Sequence, residues 1–234
     1  MLKPGDLIAS KETDGWSAIK ILAVDEWPDG STAAHCLIYE RTQAKPSLDS
    51  LRQTPVFAFH APIDGASFGA QWETLGNQVP TAQELTGFVE YLKLADFPRY
   101  LAFTGQDAQQ IVRAANDHYA RANALCEEGR QEESIAEYDR AVELFPLFYE
   151  AIDNRAFTRM ELGRYGEALQ DFERSLQVHP EGAAAFFSRG ECLMKLGELE
   201  PAEAVFRDGL TRFPEQRGLF ADFLERVRNL RSAR

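Results

Sequence analysis

Cysteine is nearly missing from this chain. Its three thiols, Cys36, Cys126 and Cys192, stand far apart and in odd number, which excludes a disulfide framework and a zinc knuckle and leaves them as small buried hydrophobes. Histidine is almost as sparse. His35, His60, His118 and His179 share no metal-ligand spacing, and the one cluster is His35 beside Cys36, with His60 on another predicted strand; ordinary sheet residues with satisfied hydrogen bonds are the expectation there. No apolar run approaches the roughly 18 residues that would span a bilayer. The opening MLKPGDLIAS is broken by Pro4, Gly5 and Asp6 too early for a secretory signal. Residence in the cytoplasm without membrane insertion is therefore expected.

Positive charge is short as well: 25 Lys and Arg face 37 Asp and Glu, a formal net charge of -12. The imbalance is uneven. Residues 105–216 carry 12 basic and 22 acidic side chains, whereas 217–234 carry 5 basic and 2 acidic. Such an acidic block repels phosphates, so direct nucleic-acid binding is not expected; it attracts a basic partner or serves solubility. Catalytic signatures are absent too. DGASFGA (Asp64 to Ala70) has two glycines but neither the lysine nor the strand-to-helix setting of a phosphate loop. No serine sits in a nucleophile elbow, and the carboxylates are spread over helix surfaces. A non-catalytic protein without cofactor or metal is the expectation.

What is present is a period. Pro146, Pro180 and Pro214 are 34 residues apart, and so are Gly129, Gly163 and Gly197. Small residues recur as Ser134, Ala168 and Ala202, aromatics as Tyr138, Phe172 and Phe206, and small residues again as Ala141, Ser175 and Gly209. Each column has a physical task. Glycine stops one helix, small residues let two helices approach, the aromatic fills the gap between them, and proline ends the second helix. The register resembles the tetratricopeptide repeat, a pair of antiparallel helices per copy. It implies repeats near 115–148, 149–182 and 183–216. A capping helix follows over 217–231, with Leu219, Phe220, Phe223, Leu224, Val227 and Leu230 on one stripe and arginines opposite.

In the middle copy Glu150, Asp153, Phe157, Met160 and Glu161 fall within one arc of a helix. The resemblance implies that this is the concave, partner-binding face. The same positions hold Asn116, Tyr119, Asn123, Cys126 and Glu127 in the first copy, and Ala184, Phe187, Glu191, Met194 and Lys195 in the third. The candidate partner-binding residues are thus Tyr119, Asn123, Glu150, Asp153, Phe157, Met160, Phe187, Glu191 and Met194. The alternative for the Phe and Met side chains is packing between adjacent repeats. Chaperone-binding members of the family clamp a terminal carboxylate with lysines, an arginine and asparagines on this face. Only Asn123 matches that pattern; acidic and aromatic residues stand where the lysines belong. Arg121, Arg155 and Arg189 recur with the period and are expected to span helices with buried stems and paired heads.

Ahead of the repeats the pattern is that of strands. WSAIKILAV (Trp16 to Val24) and AAHCLIY (Ala33 to Tyr39) flank a turn at Pro28, Asp29 and Gly30 and predict a hairpin. DLIAS (Asp6 to Ser10) and PVFAFH (Pro55 to His60) predict two more strands, and TAQELTGFVEYL (Thr81 to Leu92) a helix opened by a Thr81/Glu84 capping box. One core uniting Ile19, Ile21, Leu37, Phe57, Phe59, Leu85 and Phe88 is expected. Between the halves Pro98 reads as a breaker and Thr104 or Asp107 as the N-cap of a long first repeat helix running to Glu128. The fold class is α+β: a small antiparallel sheet domain with a helix over 1–104, then an all-α repeat superhelix over 105–234.

AHCLIYE, FHAPIDGASF and VPTAQELTGFVEYL, in that order and spacing, are similar to bacterial β-rich domains of the immunity proteins of polymorphic toxin systems, including those served by type VI secretion. This resemblance covers about residues 5–95. It implies a protein partner, a cognate and basic toxin or effector that the chain binds and neutralises. An adaptor or chaperone for a secreted or complex-forming client is the alternative, and oligomeric state is left open.

Overall fold

The computed structural model describes residues 2–233. The chain divides into two compact units, Met1–Thr104 and Gly105–Arg234.

The first unit is built on a five-stranded antiparallel sheet in the order β4-β3-β2-β1-β5. Its strands are β1 (Asp6–Glu12), β2 (Gly15–Glu26), β3 (Thr32–Tyr39), β4 (Val56–Asp64) and β5 (Trp72–Asn77). The β2–β3 hairpin turns where Asp29 accepts hydrogen bonds from the Ser31 backbone and hydroxyl, with Gly30 at φ +82. β5 has no counterpart in the sequence reading. WETLGN carries little β-branched residue and includes a glycine, and only its pairing with β1 makes it a strand.

Alternation along β2 explains why there are two cores and not one. Ala18 and Leu22 point to the face that also buries Leu7, Ala9, Leu37, Tyr39, Phe88 and Leu92. Ile19 and Ile21 point to the other, with Ile8, Ala34 and Cys36. A side-chain period of two forbids Ile21 and Leu37 from sharing a core across this register, since Ile21 pairs with Cys36. Phe57 and Phe59 depart furthest from expectation, at 75% and 40% exposed. Both lie on the edge strand β4, whose pairing with β3 is interrupted by a bulge after Ala58 and which carries Pro62. Bulge and proline are devices that keep an open sheet edge from recruiting another strand.

Helix α1 (Leu48–Leu51) and helices α2 (Thr86–Ala95) and α3 (Phe97–Thr104) complete this unit. α2 starts five residues later than expected. The Thr81 and Glu84 contacts form, the Thr81 amide donating to Glu84 at 2.7 Å and the Glu84 amide to the Thr81 hydroxyl at 3.3 Å. They close a separate turn, because Glu84 is also held by Lys20 Nζ at 2.8 Å. Gly87 then brings α2 onto β4: a Cβ there would lie 2.8 Å from the Phe59 carbonyl carbon. Pro98 is no breaker but sits in the first turn of α3, where its missing N–H costs nothing.

The second unit repeats one hairpin three times: α4 (Ala108–Glu127) with α5 (Gln131–Leu144), α6 (Tyr149–Glu161) with α7 (Tyr165–Val178), and α8 (Ala183–Leu196) with α9 (Leu199–Arg212), followed by α10 (Arg217–Ser232). Asp107 caps α4 by accepting from the amides of Gln109 and Gln110. The three inter-helix glycines all have positive φ, between 74 and 81, a region that side chains enter at a cost of roughly 1–2 kcal/mol. Ser134, Ala168 and Ala202 and the aromatic column Tyr138, Phe172 and Phe206 are all buried. Gly209 stands where the earlier copies have Ala and Ser because Phe220 of α10 packs there, leaving only 2.2 Å between the ring and a Cβ. α10 buries Phe220, Leu224 and Val227, while Leu219 and Leu230 of the expected stripe stay exposed. Its Arg228 and Arg231 reach Glu203 of α9. Among the described residues no helix is long and apolar enough to cross a membrane.

Candidate functional site

The inner helices α4, α6 and α8 carry the nine candidate residues. Tyr119 and Asn123 project from α4 towards α6, where Asn154 Nδ2 donates to Tyr119 Oη at 3.0 Å and to Asn123 Oδ1 at 3.2 Å. Tyr138 Oη donates to the same Asn123 oxygen at 2.5 Å. Asn123 therefore holds the first two repeats together, and its amide oxygen is committed. Asn154 is the residue that the periodicity did not single out; its signal is a poor helix former kept in a helix interior.

The apolar candidates are half-buried in contacts of the chain itself. The Phe157 ring meets Phe172 edge-on at 5.1 Å, and Met160 packs in the same cluster. Phe187 is surrounded by Phe206 at 5.6 Å, Phe220 at 5.5 Å and Phe223 at 4.7 Å, with Met194 beside it. α10 thus covers the third copy's part of the face, and truncating Phe187 would loosen the cap as well as any partner contact.

The charged candidates differ. Among the described residues no ion pair reaches Glu150, Asp153 or Glu191, although arginines are plentiful nearby. Those arginines are spent elsewhere. Arg155 is buried and grips Asp171 with Nε at 2.9 Å and Nη2 at 2.6 Å, and Asp139 with Nη1 at 2.6 Å. Arg159 adds a contact to Asp171 at 2.7 Å. Arg121 pairs with Glu137, which also takes His118 and Arg140. Each of these acceptors lies on an outer helix. Arg189 breaks the series: its Nε is buried without a hydrogen-bond partner among the described residues, and its guanidinium lies 4.7 Å from the Phe186 ring centre.

Burial pushes the Asp153 carboxyl above its ordinary pKa; the Ser175 hydroxyl and His179 oppose this, and the charges of Glu150 and Asp171 reinforce it. Its Oδ1 is buried and has no hydrogen-bond partner among the described residues. Burial likewise raises Glu191, against the charges of Arg226 and Lys195. Both carboxylates have lost water and gained no direct cation.

The histidine cluster of the sheet unit does not assemble a reactive centre with Cys36. His35 Nδ1 and His60 Nε2 are 2.9 Å apart, and His35 Nε2 is 2.9 Å from Asp25 Oδ2. Arg99 donates to the other Asp25 oxygen at 2.7 Å. Cys36 lies in the core on the opposite face, and burial pushes its thiol up to about 12. No thiolate forms there at neutral pH, so Cys36 is not a nucleophile for these histidines.

Residues 155–217 match the family model of the tetratricopeptide repeat, and the C-terminal half is a tetratricopeptide-repeat array. Solved structures of tetratricopeptide-repeat domains cover about half of this chain. The OM64 TPR domain of Arabidopsis is 22% identical, covering 51% of this chain and 98% of its own at a TM-score of 0.47. The second TPR domain of human RPAP3, in complex with the HSP70 peptide SGPTIEEVD, is 23% identical over 51% of this chain and 97% of its own, with a TM-score of 0.45. The N-terminal domain of stress-induced protein-1 from C. elegans is 24% identical over 54% of this chain and 99% of its own, with a TM-score of 0.46. No curated protein matches the chain.

Proposed function

We propose that this is a non-catalytic protein-binding protein whose inner repeat face receives a basic segment of a partner. We take that partner to be a toxin that the chain neutralises in the cytoplasm, as an immunity protein. One observation carries the reading: Arg121, Arg155 and Arg159 of the inner helices are paired with outer-helix carboxylates, and among the described residues Glu150, Asp153 and Glu191 on the inner side have no ion pair. A lysine or arginine of a partner would supply the missing countercharge. Electrostatic complementarity of this kind speeds association, while affinity rests on a few buried anchors.

The test has two stages. Co-expression with any toxin gene found beside its own should protect a susceptible host. Absence of protection removes the toxin reading, and recovery of several unrelated clients, released intact, would make the chain an adaptor. With the partner in hand, Asp153→Lys combined with Glu191→Lys should weaken binding at least tenfold and flatten its salt dependence. Glu173→Lys, on the exposed side of α7, is the matched control; Glu137 is unsuitable because it is the hub of three ion pairs. Normal binding by the double variant would move the interface off the inner face.

A further inference from the structure

A cavity of about 510 Å³ opens in the sheet unit, on the face covered by α1 and the turn at 81–85. Its volume lies within the range of roughly 300–1,000 Å³ typical of small-molecule sites. Leu7, Leu48, Leu51 and Val56 line it with apolar surface; Phe59 and Val79, the latter 85% exposed, form part of the lining. The polar groups are few and convergent. Lys20 comes from β2, between Ala18 and Leu22 on the apolar face, and is only 3% exposed. Its Nζ donates to both oxygens of Glu84, at 2.8 and 2.9 Å.

The saturation of this pair is unequal. Glu84 also accepts the Thr81 amide at 2.7 Å and the Tyr39 hydroxyl at 3.4 Å, so each of its oxygens has two donors. The ammonium has three protons, and among the described residues Glu84 is its only hydrogen-bond acceptor. One proton is left for something else. Arg52, also on the lining, is itself exposed, with only a loose 3.8 Å pair to Asp49. The lining therefore holds two cations against one carboxylate, in a unit whose acidic side chains outnumber its basic ones, 13 to 8. Stability alone does not account for the arrangement, because an apolar pair of the same volume serves a core as well as a buried ion pair or better.

We infer that this cavity binds a small amphipathic anion, its carboxylate directed to Lys20 and Arg52 and its apolar body against Leu48, Leu51 and Val56. The anion completes the lysine's third hydrogen bond and neutralises the excess charge, and its hydrocarbon covers the apolar lining. The site is independent of the repeat array's inner face.

Octanoate is the probe, with octanol as its uncharged match, titrated into the full chain and followed by calorimetry and amide NMR. Octanoate should bind saturably and shift the signals of 48–52, 78–84 and β2, and octanol should bind at least tenfold more weakly. Lys20→Met should abolish the preference for the acid while circular dichroism stays unchanged. Should that variant fail to fold, the surface change Arg52→Gln still tests the charge requirement and should weaken octanoate about threefold or more, leaving octanol unaffected. Leu48→Trp, which fills the cavity, should remove both ligands. The inference is overturned by the absence of saturable octanoate binding, by equal affinity for acid and alcohol, or by shifts confined to residues outside the cavity.

Discussion

Two buried charges, one in each unit, are held in opposite ways. In the repeat array Arg155 and Arg159 share Asp171 and Asp139, so that four charges on three helices neutralise one another in a network. In the sheet unit Lys20 has one carboxylate, and that carboxylate borders a cavity. A network with many partners is what a scaffold uses to fix the angle between helices; a lone pair with a free donor at a cavity is what a ligand site uses. The contrast separates buried charge that serves architecture from buried charge that is left available.

Removing a network member should produce the largest effect. Asp171→Ala leaves two guanidinium groups with Asp139 and, for Arg159, a loose 3.6 Å contact to Glu167, and should cost about 3–5 kcal/mol in chemical denaturation. Lys20→Met in the sheet unit should cost clearly less, because Glu84 is still held by Thr81 and is partly solvated. Equal losses would erase the distinction between the two kinds of burial. Next come the close approaches. Gly209→Ala, against the Phe220 ring, and Gly87→Ala, against the β4 backbone, should each cost roughly 1–3 kcal/mol. A melting temperature unchanged by either substitution would show that the neighbours yield freely.

The smallest effect is a gain. The folded-state pKa of Asp153 lies above its unfolded value of 3.8, so the charged side chain costs stability above that pKa and nothing at a pH where both states are protonated. Asp153→Asn should therefore raise the melting temperature at pH 7, with the advantage shrinking on acidification and gone below about pH 3.8. Glu137, whose pKa is lowered first by the hydrogen bond to His118 and then by Arg121, should show the reverse. Glu137→Gln destabilises at pH 7, and the difference closes as pH falls below 4.5 and through the depressed folded pKa. A destabilised Asp153→Asn at neutral pH would mean that its carboxylate is satisfied after all.

The same contrast explains what could be read in advance. In the array each position is tested three times, so Gly163, Ala168 and Phe172 could be placed by agreement with their counterparts, and all behave as their columns require. The sheet unit offers each position once. Phe57 and Phe59 look like core residues in isolation, and only the position of β4 at an edge turns them outward. Thr81 and Glu84 have the spacing of a helix start, but the competing cation is 64 residues away at Lys20. For the candidate face the helix arc was legible. Its occupation by Asn154 from the neighbouring helix and by α10 was not, because those contacts depend on how consecutive hairpins stack.

The cap has a consequence for how such a chain can change in length over generations. Phe220 fills the space that Gly209 leaves open, and Arg228 and Arg231 clasp Glu203, so the last hairpin fits α10 and not another hairpin. A duplicated segment of 34 residues inserted between the second and third copies would meet repeat surfaces on both sides and leave this junction untouched. The same segment inserted between α9 and α10 would put a hairpin lacking Gly209 and Glu203 beneath the cap. The array is open to growth between its copies and not at the α9–α10 junction, so variation in copy number should concentrate ahead of Ala183.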